Sequence, residues 1–372
     1  MNKPIFINKI IRDFNKKITV NSDKSISIRF AILASMAEGK SRAFNLSNAD
    51  DIKSTLNCLK KLGVSIKLKK NYCEITGNGL NSYTYKNNLT LNCGNSGTAA
   101  RILAGALINS PKAIKITGDK SLQKRDMKRI IDPLQKFGAT FKKNNGTLPL
   151  YMRGSNFIKP INYKETRGSA QCKSAVMLAA LSANGITKIK SKPSRNHTEI
   201  LYKNVLKLPI KIKKNNNFDY IEIKGKKNFK SFDYIIPGDI SSAAFPIVLT
   251  LLSKKSKLII NNVNINPSRT GIISILNLMG ASIQLKNKKI YKGERIADIF
   301  IESKKNLKGI NCPIKFNSAA IDEFLLIFLV AAKAKGSSRF LKIQELNAKE
   351  SKRLDLGFKI LKMIGVKTKK IG

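Results

Sequence analysis

The chain has 372 residues, 70 of them Lys or Arg against 23 Asp or Glu, for a formal charge of +47. Hydrophobic residues make up 42%, which excludes a disordered chain and leaves enough apolar material for two packed domains. One histidine, His197, excludes a histidine metal cluster or relay, and five scattered cysteines (Cys58, Cys73, Cys93, Cys172 and Cys312) with no CxxC pair exclude a disulfide framework or zinc ribbon.

Reduced thiols and a cytoplasmic location are therefore expected. The N-terminus offers no signal-type apolar run, and the longest one, Phe324 to Ala332, is too short to span a bilayer. The basic excess comprises 57 Lys and 13 Arg, with the Lys scattered along the chain. No basic-aromatic run or C2H2 spacing accompanies it, so it reads as a solvated surface and not a nucleic-acid groove.

In chain order, the dominant feature is a repeat. The runs Ile18-Thr19-Val20 and Ile235-Ile236 read as lead-in strands. Segments rich in small residues pass into helical stretches at Ser25, Gly97, Ser169 and Ser241, each 72 residues after the last, and a looser fifth copy opens near Ser318. A second helix in each unit ends at a glycine followed by a strand-type residue: Gly63-Val64, Gly138-Ala139, Gly280-Ala281 and Gly365-Val366, with Leu208-Pro209 in the third unit. Each unit is expected to run strand, helix, strand, helix, strand and one further strand. Five such units fill the chain, whereas two equal domains need six, so a last unit is expected to be missing.

Helix starts furnished with Ser, Thr or Gly suit bound phosphate or carboxylate, because their backbone N–H groups and dipole are both positive. Several such starts in phase point to a small polyanionic ligand, while any single Ser is as well read as a plain N-cap.

The segments Ser22-Asp23-Lys24-Ser25 with Arg29, Gly94-Asn95-Ser96-Gly97-Thr98-Ala99-Ala100-Arg101, Lys124-Arg125, Ser169-Ala170-Gln171, Arg195-Asn196-His197-Thr198-Glu199, Pro237-Gly238-Asp239, Asn266-Pro267-Ser268-Arg269, Asp322-Glu323 and Lys349-Glu350-Ser351-Lys352-Arg353 follow one another along nearly the whole chain. In this order they resemble 5-enolpyruvylshikimate-3-phosphate (EPSP) synthase, in its class II branch. The resemblance implies an α/β fold, a two-domain inside-out α/β barrel of βαβαββ units with a ligand cleft at the hinge. Residues 18–237 would form one domain, and residues 1–17 with 238–372 the other.

The implied reaction joins phosphoenolpyruvate to the 5-hydroxyl of shikimate 3-phosphate, with no cofactor, no metal and no partner beyond these small molecules, in a monomer. Carried over residue by residue, Lys24, Ser25, Arg29, Ser169, Ala170, Gln171, Arg195, Asp322 and Lys349 would contact shikimate 3-phosphate. Lys24, Gly97, Arg125, Gln171 and Arg353 would hold phosphoenolpyruvate. Asp322, Glu350 and Lys24 would be catalytic, with the two carboxylates expected to have pKa values moved apart. His197 is expected to have a positioning role beside Glu199, and Ser121-Leu122-Gln123-Lys124 to be a chance SxxK match.

Departures from the family pattern are Asp126 after the phosphoenolpyruvate arginine, Asn196 before His197 and Lys352 before Arg353. Family members also continue past Gly372 with a unit whose Arg and Lys grip phosphoenolpyruvate. The competing readings are a truncated homologue that binds shikimate 3-phosphate with little turnover, the sister transferase acting on UDP-N-acetylglucosamine, and a basic nucleic-acid-binding protein. The sister enzyme normally bears a reactive cysteine near Ser121 to Arg125, where this chain has none.

Overall fold

A computed structural model describes residues 12–142, 145–215 and 217–370. Four central helices, Lys24–Met36, Gly97–Ala106, Ala170–Ser182 and Ile240–Leu252, begin where a side-chain oxygen accepts a first-turn N–H. The acceptors are Asp23, Ser96, Ser169 and Asp239, receiving Ile26, Ala99, Cys172 and Ser241. Carboxylates thus cap two of these helices, which leaves the Ser25 and Ser241 hydroxyls uncommitted to capping. The second helices stop as the sequence suggests, with Gly63, Gly138, Gly280 and Gly365 all at positive φ, where a side chain would be strained.

Four sheets share one topology. In each, a lead strand lies parallel to a second strand, which pairs antiparallel with a third, which pairs antiparallel with a fourth. The lead strands depart from expectation. The N-terminal strand Asn15–Ile18 does not open the first unit but pairs with Lys257–Asn264 in the fourth, while Tyr234–Ile235 turns back to pair with Glu38–Phe44 in the first. Periodicity reveals a strand but not its partner, and parallel pairing across 242 residues (Asn15 to Lys257) or 191 residues (Ala43 to Tyr234) leaves no local signal.

The fifth unit also differs from its expected pattern. It opens with a 3-10 turn at Ser318–Ala320, reaches its helix only at Phe324–Lys333, and forms parallel bridges at Lys308 with Lys335 and Asn311 with Arg339 in place of named strands.

Two apolar cores result. One gathers buried side chains from Ile26 to Ile236; the other runs from Ile240 to Leu346 and takes in Phe14, Ile18 and Val20 at its edge. The chain crosses between them twice, and the crossings pair with each other: Asp23 N donates to Pro237 O at 2.8 Å and Asp239 N to Asn21 O at 2.8 Å. This short antiparallel ladder is the hinge, and the N-caps of two central helices lie on it.

Candidate active site

Charged side chains from both regions meet beside the hinge. Asp322 accepts from Arg195 of the first region, and on its other oxygen from Arg353 Nη1 at 2.9 Å and Lys349 Nζ at 3.3 Å. Arg353 Nη2 also reaches Glu350 Oε2 at 2.5 Å, and Glu350 Oε1 lies 3.4 Å from Arg125 Nη1, again of the first region. A continuous chain of alternating charge, Arg195, Asp322, Arg353, Glu350 and Arg125, therefore spans the cleft. Six of the residues singled out in the sequence, Lys349 included, are brought together by it.

Burial alone would raise the Asp322 pKa, but Arg195 and Lys349 outweigh it and hold the carboxyl well below its usual range. Glu350 moves the same way, burial being overcome by a backbone hydrogen bond and by Arg125 and Arg353. The two carboxylates were expected to be moved apart; the surrounding cations push both down. Burial in turn lowers Lys349, with Asp322 opposing it.

At the start of the Gly97–Ala106 helix, backbone and guanidinium groups crowd together. A Cβ on Gly97 would lie 2.5 Å from Arg125 Nη1 and 2.9 Å from Arg101 Nη1, so only glycine leaves this space open. Gln171, in the first turn of the Ala170–Ser182 helix, accepts from Arg101 Nη1 at 2.5 Å and donates to Thr98 Oγ1 at 2.9 Å.

Lys24, Ser25 and Arg29 lie on the first turns of the Lys24–Met36 helix. The Lys24 ammonium pairs with Asp51 at 3.3 Å instead of joining the Asp322 chain. Arg29 is buried, bonding Thr198 Oγ1, Ser174 Oγ and the Ser25 carbonyl, and burial lowers its pKa to about 10. It underpins this wall of the cleft from behind. Ser169 spends its hydroxyl on capping, and Ala170 follows as the first residue of that helix.

Two further groups escape a residue-by-residue reading. Arg269, 2% exposed, donates to Asp23 at 3.2 Å, Asp239 at 2.8 Å and Ser241 Oγ at 2.8 Å, tying both hinge caps together. The Ser241 hydroxyl donates to Glu323 Oε1 at 2.5 Å, and burial raises the pKa of that carboxyl. The signal was available: two hinge carboxylates 216 residues apart in sequence call for a buried cation, and Arg269 stood in a quoted motif.

His197 is fully buried, and its Nδ1 meets Glu294 Oε1 at 2.6 Å across the two regions. The expected neighbour Glu199 instead pairs with buried Lys173 at 2.6 Å. The Asp126 carboxylate accepts from Lys128 N at 2.9 Å, and Asn196 accepts from Asn266 Nδ2 at 2.8 Å. Lys352 occupies the cap position of the Arg353–Met363 helix without a side-chain cap bond. A cleft of about 530 Å³ bordered by Ser194, Asn266, Lys315 and Ser318 lies nearby but is not lined by Asp322 or Glu350. The chemistry is located by the charged cluster and not by that cleft.

A family profile described as EPSP synthase (3-phosphoshikimate 1-carboxyvinyltransferase) matches residues 8–371. The 3-phosphoshikimate 1-carboxyvinyltransferase of Petrotoga mobilis is 39% identical over 359 residues, covering 95% of this chain and 82% of that relative. The enzyme of the same name from Ruthia magnifica is 40% identical over 364 residues, covering 97% and 82%. Among solved structures, the EPSP synthase of Acinetobacter baumannii superposes with a TM-score of 0.83 at 36% identity, over 95% of this chain and 79% of that one. The enolpyruvyl transferase NikO from Streptomyces tendae shares the fold, with a TM-score of 0.66 at 12% identity over 87% and 74%.

Proposed function

The chain belongs to the EPSP synthase family, and from that membership we propose that the charged cluster between its two regions carries enolpyruvyl transfer from phosphoenolpyruvate to the 5-hydroxyl of shikimate 3-phosphate. The observation that carries this reading is Asp322, a carboxylate gripped by Arg195, Lys349 and Arg353 from both sides of the hinge.

The chemistry follows from what two arriving polyanions do to that grip. Shikimate 3-phosphate engages Lys24, Ser25, Arg29, Ser169, Ala170, Gln171, Arg195 and Lys349, and in competing for Arg195 and Lys349 it loosens the contacts that keep the Asp322 pKa low. Asp322 then accepts the 5-hydroxyl proton as the oxygen attacks the enol carbon. Phosphoenolpyruvate engages Lys24, Gly97, Arg125, Gln171 and Arg353. Its negative charge beside Glu350 raises that pKa, so that Glu350 carries a proton to deliver to the methylene carbon.

The resulting ketal phosphate breaks its C–O bond, the bonding pair leaving on the phosphate oxygen, and the phosphate takes up the proton that Asp322 accepted, which returns Asp322 to its starting state. Loss of a methyl proton back to Glu350 restores the enol ether, giving EPSP and phosphate. Lys24 supplies a point charge to the phosphate as it leaves.

Two separate apolar cores support the division into 18–237 and 1–17 with 238–372, except that Ile18 and Val20 pack on the second core and so belong with it; residues 1–11 and 371–372 lie outside the described ones. A site assembled from both regions of one chain supports a monomer, and five free, buried cysteines suit a reducing cytoplasm.

Asp322→Asn tests the assignment. Turnover is expected to fall by about 10²–10⁴-fold, as for loss of a general base, while shikimate 3-phosphate still binds. Turnover within threefold of the parent would place the base elsewhere.

A further inference from the structure

Behind the Gly97 opening lies a second guanidinium whose place the assigned roles do not explain. Arg101 sits one turn into the Gly97–Ala106 helix and is only 8% exposed. Both of its hydrogen-bond acceptors are neutral carbonyl oxygens, Gln171 Oε1 at 2.5 Å and the Asp126 backbone at 2.9 Å. Burial, and then the neighbouring Arg125, lower its pKa to about 10. Arg125 lies alongside with its Nε buried and unpartnered among the described residues. Two cations thus border one backbone point, beside Gly97, and Glu350, 3.4 Å from Arg125, and the Asp126 carboxylate near Arg101 offset them only in part.

The hydrogen bonds also fix an orientation. A guanidinium only donates, so the Gln171 carboxamide must turn its oxygen to Arg101 and its NH2 to Thr98 Oγ1. Reversal would set the amide NH2 against the guanidinium, donor against donor.

We infer that Arg101 is a positioning residue for phosphoenolpyruvate: it locks the Gln171 carboxamide in one orientation and places a second guanidinium behind Arg125. This rests on the reading that Gly97, Arg125 and Gln171 hold that substrate. The two guanidinium groups repel each other, and an anion beside Gly97 would offset that repulsion.

The test uses Arg101→Lys, which keeps the charge but has no second arm to hold Gln171 and the Asp126 carbonyl together. In calorimetry with saturating shikimate 3-phosphate, phosphoenolpyruvate affinity should fall about tenfold, the effect of one misdirected buried hydrogen bond, while shikimate 3-phosphate affinity stays within about twofold. The KM for phosphoenolpyruvate should rise with kcat nearly unchanged. In a Gln171→Ala background, Arg101→Lys should add less than about a twofold loss, because the group it holds is gone.

Equal weakening of both substrates, or a full loss on top of Gln171→Ala, would overturn the inference. If Arg101→Lys does not fold, Thr98→Val frees the other end of the same carboxamide at a partly exposed position. Selective loss of phosphoenolpyruvate affinity then supports the inference, and unchanged affinity overturns it. Arg125→Lys separates the two levels: if it leaves phosphoenolpyruvate binding intact, the substrate assignment itself fails; if it weakens binding while the Arg101 variant does not, only the positioning role fails.

Discussion

The two regions are built from the same unit but bury its central helix to different depths. In the first, every residue of the Ala170–Ser182 helix from Cys172 onward is buried, as is every residue of the Lys24–Met36 helix from Ile26 onward. In the second, the corresponding Ile240–Leu252 helix leaves Phe245 65%, Leu249 46% and Leu252 38% exposed. Composition differs, the third helix alone holding an internal Pro246, but propensity does not set how much of a formed helix is covered. What differs is how many neighbours close around the helix. The first region therefore owes its stability to a closed apolar interior, and the second relies more on the hinge and on polar ties to its neighbour.

A pair of matched truncations measures that contrast. Leu178→Ala removes a side chain 1% exposed inside the closed interior and is expected to cost about 2–5 kcal/mol, the range for cavity-forming changes. Leu249→Ala, on the open face of the second region, is expected to cost under about 1 kcal/mol. Denaturant midpoints report both. Equal costs would mean that the open face is covered in solution and that the contrast is false.

The polar ties are probed by acid. Glu294 accepts from His197 of the first region and from Asn264 at 3.0 Å and Asn266 at 3.1 Å. Burial would raise its pKa, but His197 and the two amides bring it down to about 2 from the ordinary 4.5. A folded pKa below the unfolded one means that the native state resists protonation. The resulting stabilisation, about 3 kcal/mol, is complete above the unfolded value and is lost as pH falls from about 4.5 towards 2. Glu294→Gln should flatten stability over that window while leaving its slope near neutral pH unchanged. An acid limb of unaltered steepness would show that another carboxylate sets it.

The sequence carried the repeat, its glycine stops and the ordered motifs, because capping and periodicity are local properties. The six residues of the Arg195 to Arg125 charge chain were likewise legible, since their types and spacing follow a family pattern. Three things were not. The register and partners of the lead strands Asn15–Ile18 and Tyr234–Ile235 depend on pairing across distant parts of the chain, and only the family resemblance, which set residues 1–17 with 238–372, pointed to the exchange. The commitment of Arg29 to Thr198 and Ser174 depends on how two helices pack. The common direction of the Asp322 and Glu350 shifts depends on cations from both regions meeting at once, a sum that no single motif displays.

The remaining contrast lies in a single recurring position. In each unit of the first region a glycine presses against the last carbonyls of the central helix. An added Cβ would come within 2.4 Å of Ala34 O at Gly77, 2.4 Å of Ile108 O at Gly154 and 2.2 Å of Ala183 O at Gly225. The fourth unit carries Ser303 there, with room for its side chain, whose hydroxyl donates to Lys254 O at 3.1 Å. At this point the second region carries a side chain where the first region's units carry none. Gly225→Ala must push helix and strand apart and should cost about 1–3 kcal/mol, as overpacking does. Ser303→Ala adds no clash but loses two hydrogen bonds, the one donated to Lys254 O and the one accepted from Ser256 N at 3.1 Å, and should cost about 1 kcal/mol. Thermal melting of the two variants decides the matter. If Gly225→Ala melts with the parent, the strand is free to move, and the tight seating of the first region's helices is not what separates the two halves.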